Sequence, residues 1–278
     1  MIYPFCHRWA ASATRAVAAL IFFAGWAWAE PAPAPPATGS ESRLDAVLAR
    51  GVVRVGTTGD FKPFTYRDPS TGGYRGFDID AARALAEALG VEVEFVPTTW
   101  PNLITDLVAG RYDVAMGGIT RTLERRKVAA FTLPYFEVGK VPLMRRRDAE
   151  RFTTISALNR PEVKVGVNPG GTNEQFVRTF LPNATIIVEP DNLAIPAMVA
   201  DGKVDVMITD NIEAVMAMRV LPGLAAVSPE QPFTHDDFAY LVPRDDPAWL
   251  GWLDLWVDQM RRHGTFAKLR QRWIGEAP

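Results

Sequence analysis

Cysteine is nearly absent from this 278-residue chain: Cys6 is the single one. It lies ahead of the apolar run Ala16 to Trp28 rather than behind it, so it is not placed as a lipid-anchoring cysteine. Everything beyond that run lacks a thiol, which excludes disulfides and a cysteine nucleophile and suits an oxidising compartment. Histidine is almost as scarce. Beyond the N-terminal segment there are only His235 and His263, distant in sequence and in no ligand-spaced motif, so no metal site is expected. No Gly-x-Ser-x-Gly or triad pattern stands out. The glycine loop at Gly170-Gly171 lacks the Lys-Ser/Thr ending of a nucleotide P-loop, and no cofactor is expected. Charge is balanced as well, with 30 basic and 32 acidic residues and a formal net charge of -2. That makes nucleic acid or an anionic membrane a poor partner. After residue 29 no stretch offers the roughly 20 apolar residues needed to span a bilayer.

What is present begins with a secretory signal over residues 1–29. Arg8 and Arg15 give a positive start, no acid occurs before Glu30, and the apolar run ends in Ala27-Trp28-Ala29. Small residues there predict cleavage after Ala29 and a periplasmic product. A retained anchor is the rival reading, and the run is short for one. Cleavage removes two arginines and no acid, taking the charge from -2 to -4 and leaving 249 residues. That is enough for two lobes of ordinary size. Residues 30–42, mostly PAPAPPATGSES, read as a stiff polar tether.

From Ser42 onward strands and helices alternate, the pattern of an α/β sheet with parallel strands. Ser42 is a plausible N-cap for a helix from Arg43 to Ala49, stopped by Gly51. Val52 to Gly56 reads as a strand, Phe77 to Leu89 as an amphipathic helix closed by Gly90, and Val91 to Val96 as a strand. Pro101 to Ala109 reads as a helix and Asp113 to Met116 as a strand. The pattern then recurs. Val163-Lys164-Val165-Gly166 echoes Val53-Arg54-Val55-Gly56, and Gly202-Lys203-Val204-Asp205-Val206 echoes Gly110-Arg111-Tyr112-Asp113-Val114. Coincidence between common turns is the alternative; two similar lobes is the better reading. Lobe 1 is expected to comprise residues 43–139 and 240–278, and lobe 2 residues 140–239. Trp249, Trp252 and Trp256 share one helical face, which reads as core packing rather than an aromatic ligand box.

Chemistry-bearing residues fall at the carboxyl ends of the expected strands, where open sheets of this kind bind ligands. Gly170-Gly171-Thr172-Asn173-Glu174, ahead of a helix from Gln175 to Phe180, could offer backbone N–H groups to a carboxylate. It could equally be a tight turn needing glycine. Thr120 to Arg126 opens a helix with three arginines, any of which can fork onto a carboxylate. Asp210 is well placed as an N-cap, with Glu213 three residues on. Spacing alone favours a capping arrangement over an amine holder beside a proton donor.

The chain resembles the periplasmic solute-binding proteins for amino acids. The resemblance is carried by Phe61-x-Pro63-Phe64, Gly76-Phe77-Asp78-Ile79-Asp80, Gly118-Ile119-Thr120 with Arg125, Gly171-Thr172, and Asp205-Val206 leading to Asp210. It implies the type II fold: two similar α/β lobes with central sheets, joined by a two-strand hinge. Four stretches resemble more closely the cyclohexadienyl dehydratases, exported enzymes built on that fold. They are Thr57 to Phe64, Thr99-Trp100-Pro101-Asn102-Leu103, Val167 to Glu174, and Thr209 to Ala214. That resemblance implies conversion of prephenate to phenylpyruvate and of arogenate to phenylalanine, each with loss of water and carbon dioxide, and suggests a homotrimer. It puts the general acid at Glu213 and makes Lys140 and Asn168 stabilisers of the departing groups. It has Arg125, Thr120, Gly171, Thr172 and Asn173 grip a carboxylate, Asp210 meet the arogenate amine, and Asp60 and Trp100 line the cleft. The helix start lowers the pKa of Glu213, and enclosure raises it; the acid role requires enclosure to prevail. The alternative is a non-enzymatic amino-acid receptor feeding an ABC transporter, with the same cleft and no proton donor. A sensor lobe is weaker, since no later membrane span follows.

Overall fold

Ser42 begins the part of the chain that the computed structural model describes, residues 42–275. The signal, its cleavage after Ala29 and the tether up to residue 41 lie outside the described residues. Ser42 Oγ accepts from Leu44 N at 3.2 Å and caps the helix Arg43–Arg50, which Gly51 ends at φ 69°. A left-handed residue at that position is cheap only for glycine.

Two five-stranded sheets follow the same plan. In the first the order is Glu92–Pro97, Val52–Thr57, Val114–Ala115, Leu241–Pro243, Ala129–Phe131. In the second it is Thr185–Val188, Lys164–Val167, Val206–Asp210, Lys140–Arg145, Leu224–Ala226. The first three strands of each are parallel to one another, and the remaining strands join antiparallel to their neighbours. The sheets are therefore mixed, not purely parallel as the alternation of elements suggested. The antiparallel members Leu241–Pro243 and Lys140–Arg145 are the strands that follow the two crossings between lobes. They enter their sheets from the hinge end and run opposite to the rest.

The echoed Gly-basic-x-Asp-Val segments do one job twice. Asp113 Oδ2 accepts from Arg54 N at 2.8 Å, and Asp113 N donates to Arg54 O at 2.9 Å. Asp205 Oδ2 accepts from Lys164 N at 3.0 Å, and Asp205 N donates to Lys164 O at 2.8 Å. Each aspartate locks the entry of one strand to the start of its parallel neighbour. Arginines neutralise both: Arg43, Arg50 and Arg54 around Asp113, Arg145 beside Asp205.

Each lobe has its own apolar core. The helix Pro247–Arg262 returns to the first lobe and buries Trp249, Trp256 and Met260 there. Trp249 Nε1 donates to Asp113 O at 3.0 Å and its ring stacks on Trp252. These tryptophans are core, as their spacing implied, and truncating a fully buried one would cost about 3–5 kcal/mol.

The strands Phe136–Val138 and Asp236–Phe238 pair antiparallel and connect the two sheets. Asp78, fully buried, sits at their root. It accepts from Tyr135 Oη at 2.6 Å, from Tyr240 Oη at 3.1 Å and from Gly118 N at 2.6 Å. One carboxyl group thus ties both hinge strands to the turn that floors the cleft. Burial pushes it up to about 7 against the pull of those three donors.

Candidate functional site

Between the sheets, at the carboxyl ends of their parallel strands, lies a cavity of about 20 Å³. From the first lobe it is lined by Phe61, Trp100, Gly118 and Thr120, and from the second by Asn168, Gly171, Thr172, Asn173, Asn192 and Asp210. Such a space holds about one water molecule. With the lobes in this arrangement the space is too small for an organic ligand.

Two hydrogen bonds cross the cleft beside the cavity. Thr120 Oγ1 lies 3.2 Å from Thr172 Oγ1, and Asn192 Nδ2 donates to the Asp60 carbonyl at 3.0 Å. Gly170, at φ 81°, allows the lobes to close: a Cβ there would stand 2.6 Å from Pro101 N. The glycine loop also differs from its expected form. The helix begins at Thr172, not Gln175, and Gly171 is its N-cap. Thr172 and Asn173 therefore present first-turn N–H groups with no partner inside the helix. The Gly170 N–H is not available to a ligand, since Glu174 Oε2 accepts it at 2.7 Å, closing the loop on itself.

Arg125 is buried on the short helix Leu123–Arg126. Its guanidinium donates to Thr120 O at 2.8 Å, and no ion pair to it occurs among the described residues. Desolvation pushes it down to about 10, partly offset by Asp210. It remains a cation at neutral pH, buried and short of a counter-ion.

Lys140 and Asp210 sit on neighbouring antiparallel strands and face each other by register. Lys140 Nζ donates to Asp210 Oδ1 at 2.8 Å and to Thr172 Oγ1 at 2.9 Å. Asp210 makes no side-chain capping bond to its helix Asn211–Val220. The capping arrangement favoured by spacing is therefore not what the fold uses: the ammonium of Lys140 is the stronger partner, and it has taken the carboxylate.

Glu213 lies one turn into that helix and is 5% exposed. Thr209 Oγ1 bonds one carboxyl oxygen and Asn192 Nδ2 donates to the other at 2.9 Å. Burial pushes Glu213 up to about 8, aided by the Asp210 and Asp60 charges and opposed by the two hydrogen bonds. Enclosure outweighs the helix start, and the carboxyl keeps its proton at neutral pH. Asp60, half-buried, accepts from Trp100 Nε1 at 3.0 Å. Burial raises its pKa, while donors on Thr58 and Trp100 lower it.

Of the residues singled out in the sequence, Trp100, Thr120, Asn168, Gly171, Thr172, Asn173 and Asp210 reach the cavity wall. Asp60, Arg125, Lys140 and Glu213 stand behind it, each bonded to a residue that does. Three lining residues were not singled out as site residues. Phe61 and Gly118 lie inside the motifs Phe61-x-Pro63-Phe64 and Gly118-Ile119-Thr120. Asn192 carries no sequence signal, being one polar residue in a turn between a strand and a helix. No cluster of His, Cys, Asp or Glu able to hold a metal ion occurs among the described residues, and none of their helices is long and apolar enough to cross a membrane.

Comparison with known proteins bears on the fold and the family. The chain is 47% identical over 234 residues to a cyclohexadienyl dehydratase of Pseudomonas aeruginosa, covering 84% of this chain and 87% of that one. The structure of an ancestral amino-acid-binding protein, described as a precursor of cyclohexadienyl dehydratase, matches with a TM-score of 0.78 at 40% identity, over 84% of this chain and all of that one. An ancestral cyclohexadienyl dehydratase matches with a TM-score of 0.54 at 52% identity, over 85% of this chain and 98% of that one. Residues 53–276 match bacterial extracellular solute-binding proteins, family 3, and the chain belongs to that family.

Proposed function

We propose that this protein is an exported cyclohexadienyl dehydratase acting on prephenate and arogenate, with Glu213 as the general acid. The observation that carries the reading is geometric: the Glu213 carboxyl is buried directly behind the cavity and bonded to Asn192, a residue of its wall, and that burial raises its pKa. A hydroxide leaves poorly, so the ring hydroxyl needs a positioned proton donor. Glu213 gives its proton to that oxygen and the C–O bond breaks, releasing water. The bond between ring and carboxylate then breaks, its electron pair completes the aromatic ring, and carbon dioxide departs. Glu213 is left as a carboxylate and recovers its proton from solvent once the lobes part.

The other residues divide the substrate between them. Arg125, lacking a protein counter-ion, takes the side-chain carboxylate together with Thr120 and the first-turn N–H groups of Thr172 and Asn173. Phe61 and Trp100, edge to face at 5.9 Å, form the wall for the six-membered ring. The ring carboxylate becomes neutral carbon dioxide, so a tight ionic grip on it would oppose the reaction. Lys140 and Asn168 steady the departing groups without such a grip, Lys140 being already shared between Asp210 and Thr172.

A transporter receptor would use Asp210 to hold the ligand ammonium. Here an internal ammonium stands 2.8 Å from that carboxylate, which weakens the receptor reading and, equally, the expected contact between Asp210 and the arogenate amine. The N-terminal pattern and membership of an extracellular family support export to the periplasm. The test is to mix the purified protein, cleaved after Ala29, with prephenate and record the absorbance of an aromatic product. Turnover supports the reading. Tight amino-acid binding with no turnover of prephenate or arogenate overturns it in favour of the receptor.

A further inference from the structure

Asn192 is 1% exposed and opens the single-turn segment Asn192–Ala194, held in place by Asp191, whose side chain accepts from Leu193 N at 3.0 Å. Its side-chain nitrogen makes two bonds to two different parts of the machinery. One goes across the cleft to the Asp60 carbonyl at 3.0 Å, and the other to Glu213 Oε1 at 2.9 Å within its own lobe. A backbone carbonyl can only accept, so the bond to Asp60 fixes which end of the amide is nitrogen. The other end, Oδ1, is then fixed as an acceptor. It is buried, belongs to a residue of the cavity wall, and has no hydrogen-bond partner.

A buried amide oxygen without a partner is costly, on the order of 1–3 kcal/mol, and the donor it lacks can come from a ligand. The ring hydroxyl of a cyclohexadienol is such a donor, and its oxygen must at the same time face Glu213. We propose that Asn192 is a positioning residue that couples closure of the cleft to the aim of Glu213, and that Asn192 Oδ1 accepts the O–H of the departing hydroxyl. The inference rests on the dehydratase reading and deepens it. In the closed form the hydroxyl oxygen receives the Glu213 proton while its own hydrogen is held by Asn192. When the C–O bond breaks, the group leaves as water with both hydrogens. In the open form the Asp60 bond is broken, the amide is free to turn, and the acid loses its aim.

Other groups facing Glu213 cannot replace this contact. Asp210 and Asp60 are carboxylates that act on it through charge. Lys140 is engaged by Asp210. Lys62 lies with Glu213 on the wall of a separate groove. Thr209 fixes the opposite carboxyl oxygen but belongs to the same lobe, so it cannot report closure.

The test is steady-state turnover of prephenate against pH for wild type, Asn192→Leu and Asn192→Asp, with folding checked by circular dichroism. Misaiming a catalytic group costs about 100-fold in kcat, and that loss is expected in Asn192→Leu with little change in KM. Both variants remove the donor that favours the Glu213 carboxylate, and Asn192→Asp adds a like charge. The alkaline limb of kcat therefore moves to higher pH in each. A merely structural role would lower active protein equally at every pH and leave the limb in place; that result overturns the proposal, as does unchanged kcat. If Asn192→Leu does not fold, Asn192→Asp, of the same shape, gives the reading. A wild-type protein without turnover overturns the dehydratase reading itself, which separates that failure from this one.

Discussion

Lys140 Nζ lies 2.8 Å from Asp210 Oδ1 with side-chain exposures of 2% and 4%, an ion pair almost wholly removed from water in the wall of the cleft. Such a pair adds little net stability, yet breaking it by removing one partner strands a buried charge at a cost of about 3–5 kcal/mol. Lys140→Met is therefore expected to lower the unfolding free energy by that amount in urea melts and to lose turnover. Lys140→Met combined with Asp210→Asn removes both charges and should recover most of the stability while remaining inactive. A double variant no more stable than Lys140→Met would mean that the two charges do not compensate each other.

Glu213→Gln keeps the shape and the acceptor of the acid but cannot give a proton. Turnover should fall by about 100- to 10,000-fold, with substrate affinity largely retained. In the wild type the acid form is lost as pH rises through about 8, so kcat should fall on that limb. Stability shifts with pH too. Glu213 ionises at 4.5 when unfolded and at about 8 when folded. The folded chain holds the extra proton in between, so wild-type stability falls as pH rises across that window and then levels off. Glu213→Gln has no such loss. The melting temperature of the variant relative to wild type should thus climb from pH 4.5 to pH 8; a constant difference would place the carboxyl in an ordinary environment.

Three aspartates, Asp113, Asp205 and Asp210, divide what could be read in the chain from what could not. Helix bounds such as Phe77–Leu89 were legible because glycine stops and apolar period are local. The duplicated lobes were legible because Asp113 and Asp205 perform the same lock in the same five-residue phrase. The partner of Asp210 was not. From spacing it resembled an N-cap for its own helix, and only the register of two antiparallel strands, 70 positions apart at this pair, reveals the Lys140 ammonium. Asn192 was invisible for the same reason: its partner Asp60 is 132 residues away across the cleft. The glycine loop failed on a smaller scale, since Glu174 folds back on Gly170 and lets the helix begin earlier than its apolar pattern.

Asp78 ties the hinge strands to the cleft floor by accepting from Tyr135, Tyr240 and Gly118. Asp78→Ala leaves two buried hydroxyls and one buried N–H without a partner, each worth on the order of 1–3 kcal/mol. The expected result is a loss of roughly 3 kcal/mol or more in denaturant melts and a loss of turnover, because Gly118 lines the cavity. Burial raises Asp78 from 3.8 to about 7, so its contribution is full at acid pH and is lost as pH climbs through about 7. Asp78→Asn, which stays neutral, should show a weaker fall in stability between pH 4 and pH 7 than wild type. Parallel pH curves for the two proteins would rule out the titration of this group.

Arg125 gives the cleanest separation of fold from function. The residue is 8% exposed; its guanidinium is lowered to about 10 by desolvation and bonded to the Thr120 carbonyl, with no ion pair to a carboxylate among the described residues. A buried cation of this kind costs stability until an anion arrives. Arg125→Met removes the charge and keeps much of the apolar stem, so the variant should melt no lower than wild type despite the lost bond to Thr120. Binding should move the other way. Truncating one side of a buried charge pair costs about 2–5 kcal/mol, so the affinity for prephenate should fall by about 30-fold or more, measured by calorimetry in the Glu213→Gln background where no turnover intervenes. Arg125→Lys should recover only part of it, because an ammonium cannot fork onto both oxygens of a carboxylate. Unaltered affinity in Arg125→Met would move the carboxylate elsewhere in the cleft, and the assignment of Thr120 and the Thr172 helix start to the same carboxylate would go with it.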